Sequence, residues 1–212
     1  PHNLRGTVFP FSYNNFEELE SLVKKKNIGI IKMEVVRNMG PENNFLQKVR
    51  SLASEHGIVL IFDECTSGFR QTYGGHHKLY GVEPDMAMFG KALGNGYAIT
   101  AIVGKRSVME AAQSSFISST FWTERIGPSA GLKTLEVMKD MKSWDVITEK
   151  GNKIKEGWKK LADSHQLKIS QWGLPALAGF SFEGENNLAY KTLITQEMLK
   201  KGYLASNSIY VC

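Results

Sequence analysis

The stretch "IVLIFDECTSGFR", residues 58–70, decides the fold. Its first five residues are apolar without a break. A half-exposed strand alternates, whereas an unbroken apolar strand suits a sheet covered on both faces, as parallel strands usually are. The run then stops in two acids, Asp63 and Glu64. In an open α/β sheet, ligands gather beyond the carboxyl ends of the strands. An acid directly after a buried strand is costly unless it has a partner. Three readings stay open on this stretch alone: a cap or salt bridge in a turn, a metal-assisting acid of a nucleotide hydrolase, or a carboxylate that pairs with a protonated ring nitrogen.

Working outward, the neighbours alternate between helix and strand. Residues 15–26 put Phe16, Leu19 and Leu22/Val23 on one face at helical spacing. "IGIIKMEVV" (28–36) reads as a strand. Residues 44–56 read as a helix with Phe45, Val49, Leu52 and Ala53 inward and Gly57 as its stop. A glycine-bearing irregular segment, 64–83, leads to the strand "DMAMF", and "AITAIVG" (98–104) is another strand. This alternation predicts an α/β sheet with mostly parallel strands. After residue 123 the texture changes. A helix is expected from Pro128, a good first helical position, and a longer one over about 144–166, with Ile147, Ile154, Trp158 and Leu161 inward. "LKISQW" and "ALAGFSFE" follow as strands, then a helix closed by Gly202. The expected division is 1–125 for the large domain and 126–212 for linking helices and an incomplete small α+β domain.

Lys91 separates the readings of Asp63. It stands 28 residues after Asp63, at the end of the next strand, "PDMAMFGK". Two strand ends of one sheet thus present an acid and an amine towards one cleft. A phosphate-binding lysine needs G-x-x-x-x-G-K-[ST]. Here Ala92 follows the lysine and Asp85 stands where the first glycine belongs, so that motif fails twice. A lysine in a desolvated site is suited to imine formation, because burial lowers an amine's pKa. A solvated lysine at a strand exit is the alternative on this stretch.

Composition excludes several classes. The 212 residues are 42% hydrophobic and 22% charged, ordinary for a globular chain with a core. The net charge of +5 comes from helix-like lysine runs without the interleaved aromatics of a nucleic-acid platform. No apolar run approaches the ~18 residues of a membrane span. Two distant cysteines, Cys65 and Cys212, argue against a disulfide framework and for a reducing, cytoplasmic setting. The chain opens "PHNLRG" and stops in "SIYVC", in what reads as a strand, so a fragment is expected.

"LIFDECTSGFR" followed by "GVEPDMAMFGKALGNGYAITAIVG" resembles the core signature of the class III pyridoxal-phosphate aminotransferases, and most of all their glutamate-1-semialdehyde aminomutase branch. The resemblance implies an aspartate-aminotransferase-like large domain, part of a small α+β domain, and pyridoxal 5'-phosphate as cofactor. It implies that Lys91 holds the cofactor as a Schiff base and shuttles the proton, while Asp63 pairs with the pyridinium nitrogen. A protonated ring is an electron sink, and a close carboxylate keeps it protonated. Cys65 stands where the family has a valine against the ring. "MEVVRNMG" resembles the family's Glu-Pro-Val-x-x-Asn-Met-Gly, with Val35 for proline and one residue fewer before Asn38, which by that match lies near the phenolic oxygen. Thr120 is the counterpart of a threonine that reaches the neighbouring subunit's phosphate, which implies a homodimer. Trp122-Thr123-Glu124-Arg125 departs from the Ser-Gly-Asn-Pro of the family, beside the substrate pocket.

The other conspicuous residues have structural readings. His76 and His77 have no third metal ligand in view. Tyr97 packs at the start of a strand, Arg70 makes a salt bridge, and Trp158 and Trp172 sit in the small domain's core. The reading is therefore a transaminase acting on small amine and keto or aldehyde substrates, with no nucleic-acid, membrane or metal partner. The aminomutase reaction is the alternative within the family. A nucleotide-hydrolysing domain with Asp63-Glu64 on a metal is the alternative outside it.

Overall fold

Four strands lie side by side in sequence order. The computed structural model describes residues 6–121 and 123–212. Strand β1 (Ile30–Glu34) pairs in parallel with β2 (Val59–Asp63), and β2 pairs in parallel with β3 (Met86–Phe89). β4 (Ala101–Gly104) closes the sheet antiparallel to β3. The sheet is thus mostly parallel, as the sequence predicts.

Helices α1 (Phe16–Lys25) and α2 (Phe45–Glu55) form where the periodicity places them. The Asn15 side chain caps α1 by accepting from the Glu18 amide at 3.2 Å. Gly57, at φ +64, supplies the left-handed residue that ends α2. Leu19 and Val23 of α1 and Phe45, Leu46, Val49, Leu52 and Ala53 of α2 meet Ile31, Met33, Leu60 and Phe62 of the sheet in one buried cluster. Each large apolar side chain so buried contributes about 2 kcal/mol.

Among the described residues one face of the sheet is packed and the other is not. Burial alternates along β1, β2 and β3. The second face carries Ile30, Ile61, Met88 and Ile102, and none of them is buried. An apolar run therefore marks a strand here but does not report how many of its faces are packed.

The remaining elements are α3 (Arg106–Met109), α4 (Ile126–Met141), α5 (Ser143–Ser164), an antiparallel pair β5 (Ile169–Trp172) and β6 (Gly179–Phe182), and α6 (Asn187–Lys200). α4 starts two residues before Pro128, which is still within the first turn, where its missing N–H costs nothing. α5 buries only Gly151 and Ala162, and Leu161 is exposed, contrary to the expected inward stripe. Gly151 is required by the packing: a Cβ there would stand 2.0 Å from the Pro175 carbonyl oxygen. Trp158 and Trp172 are half-buried rather than central, with Trp158 against Phe180 at 5.0 Å. The last residues form a single bridge, Gly179 with Ser208, instead of a strand. The Gly173 amide donates to the Asn38 carbonyl at 3.0 Å, and Val36 packs on Leu174, Ala176 and Leu177, so the two sheets' surroundings are joined.

Candidate active site

Glu64 builds the loop that frames the site. It is wholly buried, and its two oxygens accept from the His76 amide at 2.6 Å, the His77 amide at 3.0 Å, Ser67 Oγ at 2.9 Å and His77 Nδ1 at 2.6 Å. Burial pushes its carboxyl up, but these bonds outweigh burial and hold it below the ordinary range. An ionised carboxylate only accepts, so His77 Nδ1 carries the proton. His76 and His77 are therefore loop struts, and no cluster of metal-binding side chains occurs among the described residues.

Asp63 faces the other way. Adjacent residues of a strand point to opposite faces, so Asp63 stands on the open face while Glu64 is turned into the core. The two acids do not converge on a shared metal, and the nucleotide-hydrolase reading loses its ligand pair. Asp63 Oδ2 accepts from Lys32 Nζ at 2.8 Å, and Oδ1 accepts from the Cys65 amide at 3.2 Å. Burial raises the Asp63 carboxyl, but the Lys32 and Cys65 bonds bring it below the usual carboxylate range.

Lys91 follows Gly90 at the end of β3. Its backbone is left-handed at φ +42, an uncommon state for a residue with a side chain. The side chain reaches back to the turn after β2, where Nζ donates to Thr66 Oγ1 at 2.6 Å. The residue is exposed in this chain, rather than desolvated as the sequence suggests. Cys65 lies between the two groups. Burial raises its thiol, the Asp63 charge adds to that, and the Lys91 and Lys32 charges oppose it. Gly90 approaches the same thiol: a Cβ on it would stand 3.5 Å from Cys65 Sγ and 3.3 Å from Thr100. Asp63, Cys65, Thr66 and Lys91 thus form one group across the ends of two neighbouring parallel strands.

Sequence reasoning missed Thr66 and Lys32. Lys32 becomes visible only through the register, which pairs Glu34 with Asp63 and Lys32 with Ile61 and so puts Lys32 diagonally beside Asp63. The other expected residues stand elsewhere. Cys65 is half-buried rather than enclosed. Asn38 is exposed, and it is its carbonyl that is engaged, by Gly173. Thr120 is exposed on the loop before α4, and Trp122 lies outside the described residues. Tyr97 is exposed rather than packed. Arg70 makes no salt bridge among the described residues; its Nε donates to the Thr66 carbonyl at 2.7 Å and its guanidinium lies 5.6 Å from the Tyr210 ring centre. A cavity of about 790 Å³ opens beside Lys91, bordered by Arg70, Tyr97, Met138, Ile147 and Val211.

An amine and an ionised carboxylate set at the carboxyl ends of adjacent strands fit an aldehyde-bearing, ring-nitrogen cofactor: the amine suits the carbonyl and the carboxylate suits a protonated ring nitrogen. Comparison with known proteins gives the same answer. Residues 9–208 match the family described as Aminotransferase class-III. The chain is 35% identical over 205 residues to a 3-aminobutyryl-CoA aminotransferase of Cloacimonas acidaminovorans, covering 92% of this chain and 50% of that protein. It is 33% identical over 191 residues to a glutamate-1-semialdehyde 2,1-aminomutase of Natranaerobius thermophilus, covering 86% and 44%. It spans about half the length of these curated relatives. Among solved structures, the PLP internal aldimine form of Sphingopyxis FumI superposes with a TM-score of 0.93 at 21% identity, over 100% of this chain and 53% of that one. An omega-transaminase of Sphaerobacter thermophilus does so with a TM-score of 0.86 at 20% identity, over 100% and 53%. These two likenesses carry the fold, which is that of the aspartate-aminotransferase-like enzymes, and the sequence matches carry the family. The chain belongs to the class III aminotransferases, whose cofactor is pyridoxal phosphate.

Proposed function

We propose that this chain carries the lysine and aspartate of a transaminase site that moves an amino group between a small amine or amino acid and a keto or aldehyde acceptor. The observation that carries the reading is the placement of Lys91 and Asp63 at the ends of β3 and β2, joined through Thr66 and Cys65. Bound there, pyridoxal phosphate supplies an electron sink for the carbanion formed at the amine-bearing carbon. Lys91 Nζ would tether the cofactor and, once an incoming amine had displaced it, would carry a proton to and from that carbon. Asp63 holds a compensating negative charge at the ring nitrogen. Thr66 Oγ1 orients the amine between turnovers.

The same proposal gives Cys65 a place against the ring, and Asn38 one near its phenolic oxygen. Thr120, which is exposed, is read as serving the phosphate of the neighbouring subunit in a homodimer. The division at residues 125/126 and a cytoplasmic setting belong to this reading, the latter resting on the two free cysteines. Intramolecular amino transfer would use the same Lys91, and the aminomutase relative keeps it as the second reading.

The test uses the full chain that carries these residues. Pyridoxal phosphate is added, a visible band from lysine-bound cofactor is sought, and the adduct is reduced with borohydride and mapped. A label on Lys91 is expected; no band, or a label elsewhere, overturns the reading. A screen of amine donors and carbonyl acceptors then separates transfer between substrates from transfer within one.

A further inference from the structure

The carboxylate that the cofactor reading assigns to the ring nitrogen already holds a cation. Lys32 Nζ lies 2.8 Å from Asp63 Oδ2, and Oδ1 takes the Cys65 amide. Lys32 is the one lysine of β1, on a sheet face that also carries Ile30, Glu34, Ile61, Asp63 and Met88. Its stem is half-exposed, so the pair adds at most about 1 kcal/mol to stability.

We infer that Lys32 is a positioning residue that shares Asp63 with the ring nitrogen of the cofactor and weakens that nitrogen's hold on its proton. The inference rests on the cofactor reading of the previous section. A bare carboxylate beside a pyridinium stabilises the proton by direct attraction. Here one negative charge serves two cations, and the ammonium also repels the second cation. The other charged or titratable groups facing this point are Glu34 on β1, Cys65 after β2 and Lys91 after β3. Glu34 favours the Lys32 charge, as Asp63 and Cys65 do. The Lys32 amine is accordingly held above its ordinary value, first by the Asp63 hydrogen bond, and stays charged through neutral pH. The consequence is a ring whose electron-withdrawing strength is set by a lysine that touches neither substrate nor tether.

The test is made on the full chain loaded with ¹⁵N-ring-labelled pyridoxal phosphate, followed by ¹⁵N chemical shift against pH. In Lys32→Met the midpoint for ring-nitrogen protonation is expected to rise by about one pH unit or more. Lys32→Arg restores the parent midpoint, because it restores the charge. Lys32→Gln behaves as Lys32→Met, which guards against a packing effect of the methionine. An unchanged midpoint in both neutral variants, with cofactor bound, overturns the inference and leaves the cofactor reading standing. No cofactor uptake by the parent chain overturns both.

Discussion

The Lys91 ammonium donates to Thr66 Oγ1 at 2.6 Å, tying the end of β3 to the turn that follows β2. Thr66 is buried, and its carbonyl is in turn held by Arg70 Nε, so the acceptor is fixed in place. A lysine has four rotatable side-chain bonds, and a fixed acceptor selects the rotamers that aim its amine at the Asp63 edge.

Thr66→Val keeps the branched shape and removes the acceptor. The expected result is a loss of roughly tenfold in kcat with folding stability within about 1 kcal/mol of the parent. Steady-state kinetics and urea unfolding check it. Unchanged kcat would show that the bond does not position the amine.

Lys91 itself is held at φ +42, where a side chain costs about 1 kcal/mol. Lys91→Gly relieves that strain while losing a hydrogen bond of similar size. The cofactor-free variant is expected to unfold at no lower urea concentration than the parent, yet to take no borohydride label. A clear drop in the urea midpoint would mean that the backbone at residue 91 is not strained.

Much of this was legible from sequence because the signals are local. Apolar periodicity placed α1, α2 and the strands, Gly57 marked a helix end, and the acid and lysine at strand ends marked the site. What was not legible depends on pairing between distant segments. Lys32 meets Asp63 only through the β1–β2 register, and Thr66 meets Lys91 only because the side chain turns back. Both β2 faces are apolar in sequence, so the open face could not be told from the covered one. Cys65, whose family counterpart packs against the ring, is half-buried where β2 ends.

Asp63→Ala removes the carboxylate and leaves Lys32 facing solvent. Stability is expected to change by about 1 kcal/mol or less, since the partner is exposed. Turnover is expected to be nearly abolished, because the ring nitrogen is then no longer held protonated and the electron sink weakens. Near-normal turnover would sink the assignment of Asp63.

Glu64→Gln puts an NH₂ either at Oε1, where the His77 amide and His77 Nδ1 now donate, or at Oε2, where the His76 amide and Ser67 Oγ do. A buried donor then faces donors, and the cost is expected to be about 2–3 kcal/mol. Hydrogen exchange should rise across residues 64–80 while the α2 amides stay protected. Uniform loss of protection would instead mean that Glu64 anchors the whole sheet.

Asp85 offers a test of the sheet's other anchor. Its Oδ2 accepts from the Leu60 amide and from Arg50 Nη1, both at 2.8 Å, and its Oδ1 accepts from Lys105 Nζ at 2.7 Å. These bonds lace α2, β2, β3 and the residue after β4 together. Burial pushes the Asp85 carboxyl up, but the Leu60 amide, Lys105 and Arg50 outweigh it and bring it down to about 2 from an ordinary 3.8. The folded state therefore binds this proton less readily than the unfolded chain. The stabilisation is complete above about pH 4 and is lost as pH falls through about 2. Asp85→Asn keeps the shape but not the charge, and at pH 6 it is expected to be less stable by about 2 kcal/mol. Because the asparagine does not titrate, the gap between variant and parent should close as the pH is lowered towards 2. Urea unfolding of both chains at several pH values measures the gap directly, and a gap that does not change with pH would place the stabilisation in shape rather than charge.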